Sequence, residues 1–101
     1  MRRLALALPG VEEGTSYGTP ALKVKGKLFV RLKEDGVTIV LKTDFDERDV
    51  LMQLDPKTFF ITDHYRDYPW VLVRLERVGE PRLRELLGQA WRRVVPGVRP
   101  R

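Results

Sequence analysis

The chain predicts an α+β fold: a single two-layer domain in the order α-β-β-β-α-β-β-α, with an antiparallel sheet and its helices on one face. Three observations carry that reading. Residues 20–42 alternate apolar and polar side chains around glycine turns, residues 83–94 repeat apolar side chains at helical spacing, and 101 residues suffice for one core but not two. The predicted domain spans residues 1–101, with residues 96–101 expected as a basic, frayed tail.

The first element is a short helical stretch over residues 2–8, stopped by Pro9-Gly10 and expected to dock through Leu4 and Leu8, because so short a helix does not stand alone. Residues 9–19, with Gly10, Gly14, Gly18 and the pair Glu12-Glu13, read as loop, and Thr15, Ser16 and Tyr17 as the turn into the first strand. A three-stranded meander follows over residues 20–42. Asp35-Gly36 is the preferred pair for a type I′ hairpin turn. That turn sets Leu32 opposite Ile39 and Val30 opposite Leu41 on a core face, and Lys33 opposite Thr38, Arg31 opposite Val40 and Phe29 opposite Lys42 on the other. Gly26 closes the preceding hairpin in a three-residue loop, which keeps Leu22 on the core face and sets Lys23 opposite Lys27.

Asp44 then reads as a helix N-cap with Glu47 three residues on, and Val50, Leu51 and Leu54 as the buried stripe of a helix that ends before Pro56. Residues 58–62 and 69–75 are β-branched and aromatic, hence strands, joined by the loop 63–68. The last helix is the clearest element. Pro81 sits in its first turn, where a missing N–H costs nothing, and Leu83, Leu86, Leu87, Ala90, Trp91 and Val94 form one face. Helices on one side leave the other side of the antiparallel sheet at least partly open.

Composition narrows the function classes. Cysteine is absent, which excludes disulfides, thiolate metal sites and a cysteine nucleophile. No signal peptide and no long apolar run is present, so a cytoplasmic protein without a membrane partner is expected. Asn is absent and Gln occurs only at Gln53 and Gln89, a heat-adapted (thermophile) profile that accounts for part of the surface charge. The net charge of +5 is unevenly spread: residues 20–42 carry six basic and two acidic side chains, residues 43–69 three and seven, and residues 70–101 eight and three. Separated patches of this kind steer charged partners.

Catalytic chemistry finds little purchase. Ser16 and His64 are each the only residue of their type, and Ser16 lacks a nucleophile-elbow setting. Asp44, Asp46 and Asp49 lack the glycine and closing glutamate of a calcium loop and read as helix-start carboxylates. Asp63 and Asp67 are two carboxylates in one loop without further pattern, and Gly10, Gly14 and Gly18 do not sit between a strand and a helix as a phosphate loop would. No catalytic residue, metal or cofactor is therefore assigned. The binding residues singled out are the meander cations Lys23, Lys25, Lys27, Arg31 and Lys33, expected as one contiguous plate of phosphate contacts. Tyr65, Arg66, Tyr68 and Trp70 add aromatic side chains interleaved with a guanidinium, the pattern that stacks nucleic-acid bases. The expected partner is DNA or another nucleic acid. The alternative is a protein-interaction or chaperone-like adaptor that uses apolar surface at Phe29, Val40 and Val71.

Four stretches together resemble the MmcQ/YjbR family: residues 7–13 (Ala-Leu-Pro-Gly-Val-Glu-Glu), 17–29 (Tyr-Gly-Thr-Pro-Ala-Leu-Lys-Val-Lys-Gly-Lys-Leu-Phe), 64–75 (His-Tyr-Arg-Asp-Tyr-Pro-Trp-Val-Leu-Val-Arg-Leu) and 90–92 (Ala-Trp-Arg). The first helix is shorter here than in relatives. The resemblance implies a compact α+β fold similar to the secretion-chaperone-like fold, and a DNA-binding role through a double-wing arrangement of β-hairpins. It implies no catalytic residues.

Overall fold

The computed structural model describes residues 1–16 and 18–95; Tyr17 and the expected frayed tail at 96–101 lie outside the described residues. The elements run α1 (Arg2–Leu6), β1 (Val11–Ser16), β2 (Thr19–Val24), β3 (Lys27–Leu32), β4 (Thr38–Lys42), α2 (Phe45–Leu54), β5 (Phe59–Phe60), a 3-10 turn (Asp63–Tyr65), β6 (Trp70–Arg74) and α3 (Glu80–Val94). One six-stranded sheet has the order β1-β2-β3-β4-β6-β5, antiparallel throughout.

The α+β expectation holds, with one strand more than the sequence predicts. Residues 11–16, expected as loop, pair with β2 over their whole length, from Val11 opposite Val24 to Ser16 opposite Thr19. Glu-Glu-Gly-Thr has poor strand propensity and its side chains are exposed, so only backbone pairing to a neighbour makes it a strand.

Both hairpins of the meander turn differently from expectation. The register Val30–Leu41, Arg31–Val40 and Leu32–Ile39 is as predicted. The Asp35-Gly36 turn is not type I′, because only Gly36 has positive φ. Asp35 instead accepts the N–H groups of Val37 and Thr38 and the Thr38 hydroxyl. Those donors, the Val37 N–H foremost, hold its carboxyl below the usual range. The β2–β3 hairpin, expected as a three-residue loop, closes in two: Val24 pairs with Lys27, with Lys25 at φ 49° and Gly26 at φ 80°. These are the type I′ angles, which match strand twist.

A register shift at Leu22/Lys23 completes the change, since Leu22 pairs with Val30 but Lys23 with Leu28. Phe29 is thereby an extra residue in β3. Its side chain, expected on the cationic face opposite Lys42, is fully buried in the core.

The helix side of the sheet packs as the sequence indicates. Leu83, Leu86, Leu87, Ala90 and Val94 of α3 meet Val30, Ile39, Leu41, Val71 and Val73, joined by Ala5 of α1 and Leu51 of α2. Asp44 caps α2 by accepting the Glu47 N–H at 2.7 Å. The expected α2 stripe is corrected, however: Leu51 is buried, Val50 and Leu54 are exposed, and the second buried side chain is Arg48.

The other side is not open at its centre. Ala21, Arg31, Val40 and Leu72 form one register line across four strands, all buried. Tyr65, in the connection from β5 to β6, reaches this line, and its hydroxyl accepts from Arg31 Nη2 at 2.8 Å. That connection is pinned by Arg48. Its Nη1 donates to the carbonyls of Tyr65 (3.1 Å), Tyr68 (2.8 Å) and Trp70 (3.4 Å), and its Nη2 to that of Arg66 (3.0 Å).

Candidate nucleic-acid interface

The predicted binding residues fall into three places instead of one plate. Lys25 and Lys27 are exposed at the tip of the β2–β3 hairpin, and a Cβ built on Gly26 would meet nothing within 4 Å, so the tip stands open to solvent. By register the tip lies where β4 ends and β6 begins, since Val30 pairs with Leu41 and Lys42 with Trp70. There the Lys42 ammonium sits 5.2 Å from the Trp70 ring centre, a cation–π contact. Burial, with a smaller contribution from the charge of Arg93, lowers the Lys42 pKa from its ordinary value.

The C-terminal turn of α3 comes to the same end. Trp91 Nε1 donates to the Pro9 carbonyl at 2.8 Å, close to where β1 begins beside Val24. This leaves Arg92 exposed, while Arg93 bonds Asp44 at 2.8 Å. Arg93 is the first cause, and the Glu47 N–H the second, of an Asp44 carboxyl held below the usual range. Tyr68 is 58% exposed and Trp70 half-buried.

The second place is on the sheet face opposite the helices, at the far end of β3. Arg31 and Lys33 join Glu34, Thr62, His64 and Tyr65 around an open cleft of about 300 Å³. Arg31, expected as an exposed phosphate contact, is only 7% exposed, because Tyr65 lies against it and the central strand leaves no room for solvent. Its Nη1 is 3.5 Å from the Glu34 carboxylate. The third place is β2, where Lys23 stands opposite Glu12 of β1 in the strand register. Arg66 is exposed, 3.6 Å from Asp63.

The apolar surface expected for an adaptor does not exist where the sequence put it, since Phe29, Val40 and Val71 are all buried. The large exposed apolar side chains on α2 are Phe45, Val50 and Leu54. His64 is exposed and edge-on to the Tyr65 ring at 4.7 Å, and among the described residues it makes no hydrogen bond to Asp63 or Asp67. Among the described residues no group of three metal-ligating side chains occurs, and no helix is long and apolar enough to cross a membrane.

Sequence reasoning passed over Lys42, Arg92, Glu34 and Thr62 as site residues. Lys42 carried a signal, being the last cation of the meander beside an aromatic strand start. Thr62 and Glu34 carried none, because the cleft is formed by segments distant in sequence.

The YjbR family model matches residues 6–93. Uncharacterized proteins of Mycobacterium bovis and Mycobacterium tuberculosis are 36% identical over 62 residues, 61% of this chain. The chain spans 40% of the length of those relatives, and their names record no catalytic activity. A crystal structure of a Deinococcus radiodurans protein with the family-model domain DUF419 superposes with a TM-score of 0.81 at 25% identity, covering 95% of this chain and 76% of that one. With a family match over most of its length and a shared fold, the chain belongs to the YjbR family.

Proposed function

We propose that this is a non-enzymatic, cytoplasmic protein that binds nucleic acid, DNA foremost, by its phosphates at the β2–β3 end of the sheet. Lys25 and Lys27 are the leading contacts, with Lys42 and Arg92 beside them. Trp70 and Tyr68 offer aromatic faces at the start of β6.

One observation supports this most. Lys25 occupies the first position of a type I′ turn with φ 49°, where Asn, Asp or Gly is preferred and a longer side chain costs about 1 kcal/mol. A cation kept in a left-handed conformation at an open tip points to a use for its charge. Lys25→Asn is therefore expected to raise stability by about 0.5–1 kcal/mol in urea unfolding while weakening binding to random oligonucleotides. A variant that gains stability and keeps its affinity would remove this support.

The direct test is a salt titration of binding to random duplex and single-stranded oligonucleotides, followed by fluorescence anisotropy. Four phosphate contacts predict a slope of log affinity against log salt near about −3.6 for duplex. The adaptor reading moves to Val50 and Leu54, neighbours one turn apart on α2, and predicts no oligonucleotide binding and a nearly salt-independent protein partner.

A further inference from the structure

The sheet ends on two unlike edges. β5 closes one side with two residues, too short to template another strand. β1 closes the other with six, paired to β2 along their whole length. Its outer backbone is bare. Among the described residues, the main-chain groups of residues 11–15 form no hydrogen bond outside the β1–β2 ladder, and Glu12, Glu13, Gly14 and Thr15 are all exposed.

Gly14 sits in the middle of this edge with no reason for it inside the chain. Its φ is not left-handed, and a Cβ built on it meets nothing within 4 Å. Glycine there weakens a strand that is already poor in propensity. A strand glycine often marks a place where another backbone approaches closely.

The charges select which backbone. Only every second residue of an edge strand turns its N–H and C=O outward, so two copies of β1 related by a two-fold axis pair only in registers centred on a residue. An axis through Glu12 or Glu13 sets that carboxylate against its own copy, which is repulsive, and an axis nearer either end shortens the ladder. An axis through Gly14 sets Glu13 opposite Thr15 and Glu12 opposite Ser16, each carboxylate against a hydroxyl, with the two glycines facing each other at the centre. The Glu13 carboxylates become diagonal neighbours, but each brings its own counter-charge, since Arg2 of α1 donates to Glu13 at 2.7 Å.

We infer that β1 is a dimerisation edge, at which two copies of this chain join antiparallel about a two-fold axis through Gly14 and continue the sheet from one molecule into the next. The two glutamates act as a register filter, rejecting the alignments that oppose them and admitting the one that does not. The joint uses neither the lysine tip of the β2–β3 hairpin nor bound nucleic acid. Pairing over residues 12–16 buries well under the roughly 1,200 Å² of a standard interface, so the dimer is weak and forms at high micromolar protein.

The test is sedimentation equilibrium of the full chain from micromolar to millimolar concentration, with amide hydrogen exchange followed at both ends of the range. A monomer–dimer equilibrium is expected, with concentration-dependent protection confined to β1. Gly14→Glu places like charges face to face at the axis while open space around it leaves the monomer folded, and it should weaken the dimer about threefold to tenfold. Thr15→Arg works in the opposite direction: it sets a guanidinium opposite Glu13 of the other copy on both sides of the axis, and should tighten the dimer by a similar factor.

A chain that stays monomeric at millimolar concentration overturns the inference. So does a dimer that neither substitution alters, or whose protected amides lie outside β1. Protection of β1 that appears only on adding an unrelated extended peptide would place a foreign strand on this edge and likewise overturn self-pairing.

Discussion

Arg48→Met lowers stability by about 3 kcal/mol, a fall in melting temperature of roughly 12–24 °C for a domain this size, and frees the connection between β5 and β6 from the sheet. The reason is the number of carbonyls that one buried guanidinium serves. Those of Tyr65, Arg66, Tyr68 and Trp70 all accept from its two terminal nitrogens, and no main-chain ladder can replace it in so irregular a segment. Methionine keeps the packing of the stem, so the measured loss reports mainly on the orphaned carbonyls.

Arg48→Lys should recover only part of the stability, since an ammonium cannot span four acceptors as a planar fork does. Urea unfolding gives the energy, and near-ultraviolet circular dichroism reads the release of Tyr65, Tyr68 and Trp70. A loss below about 1 kcal/mol would mean that water rehydrates these carbonyls in place, and that Arg48 is a convenience of the loop rather than its anchor.

The second large effect is expected at the hairpin tip. Reversing Lys25 and Lys27 together to Glu should weaken binding to random duplex on the order of a hundredfold at moderate salt, and reduce the salt slope by about 1.8. Each reversal removes one attraction and adds one repulsion. At contact distance in water either is about 1 kcal/mol before screening, so two reversals amount to roughly 2–4 kcal/mol once salt is present. Stability should change by no more than about 0.5 kcal/mol, because both side chains are exposed and neither forms an ion pair among the described residues. Unchanged affinity in a folded double variant would remove the tip from any nucleic-acid role.

Much of this fold is legible in the sequence because its strongest signals are local. The α3 stripe, the Asp44 cap and the β3–β4 register each follow from a few neighbouring residues, and each stands in the structure. What escaped is set by partners far along the chain. β1 has no apolar alternation, since its acidic side chains point to solvent and only β2 makes it a strand. The extra residue at Phe29 leaves no mark in the alternation, yet it moves a ring from the predicted cationic face into the core.

The candidate site was less legible for the same reason. Counting lysines identified the hairpin tip, but whether Arg31 faces solvent depends on Tyr65, thirty-four residues later. Arg48 reads as an ordinary surface charge on an amphipathic helix until the carbonyls around it are known.

The helix that shields β3 and β4, α3, follows them by about forty residues in the sequence. During synthesis the meander leaves the ribosome with Val30, Ile39 and Leu41 bare, and more than fifty residues separate Val30 from its cover at Leu83. Nascent chains therefore carry an unprotected, adhesive surface until α3 has emerged and docked.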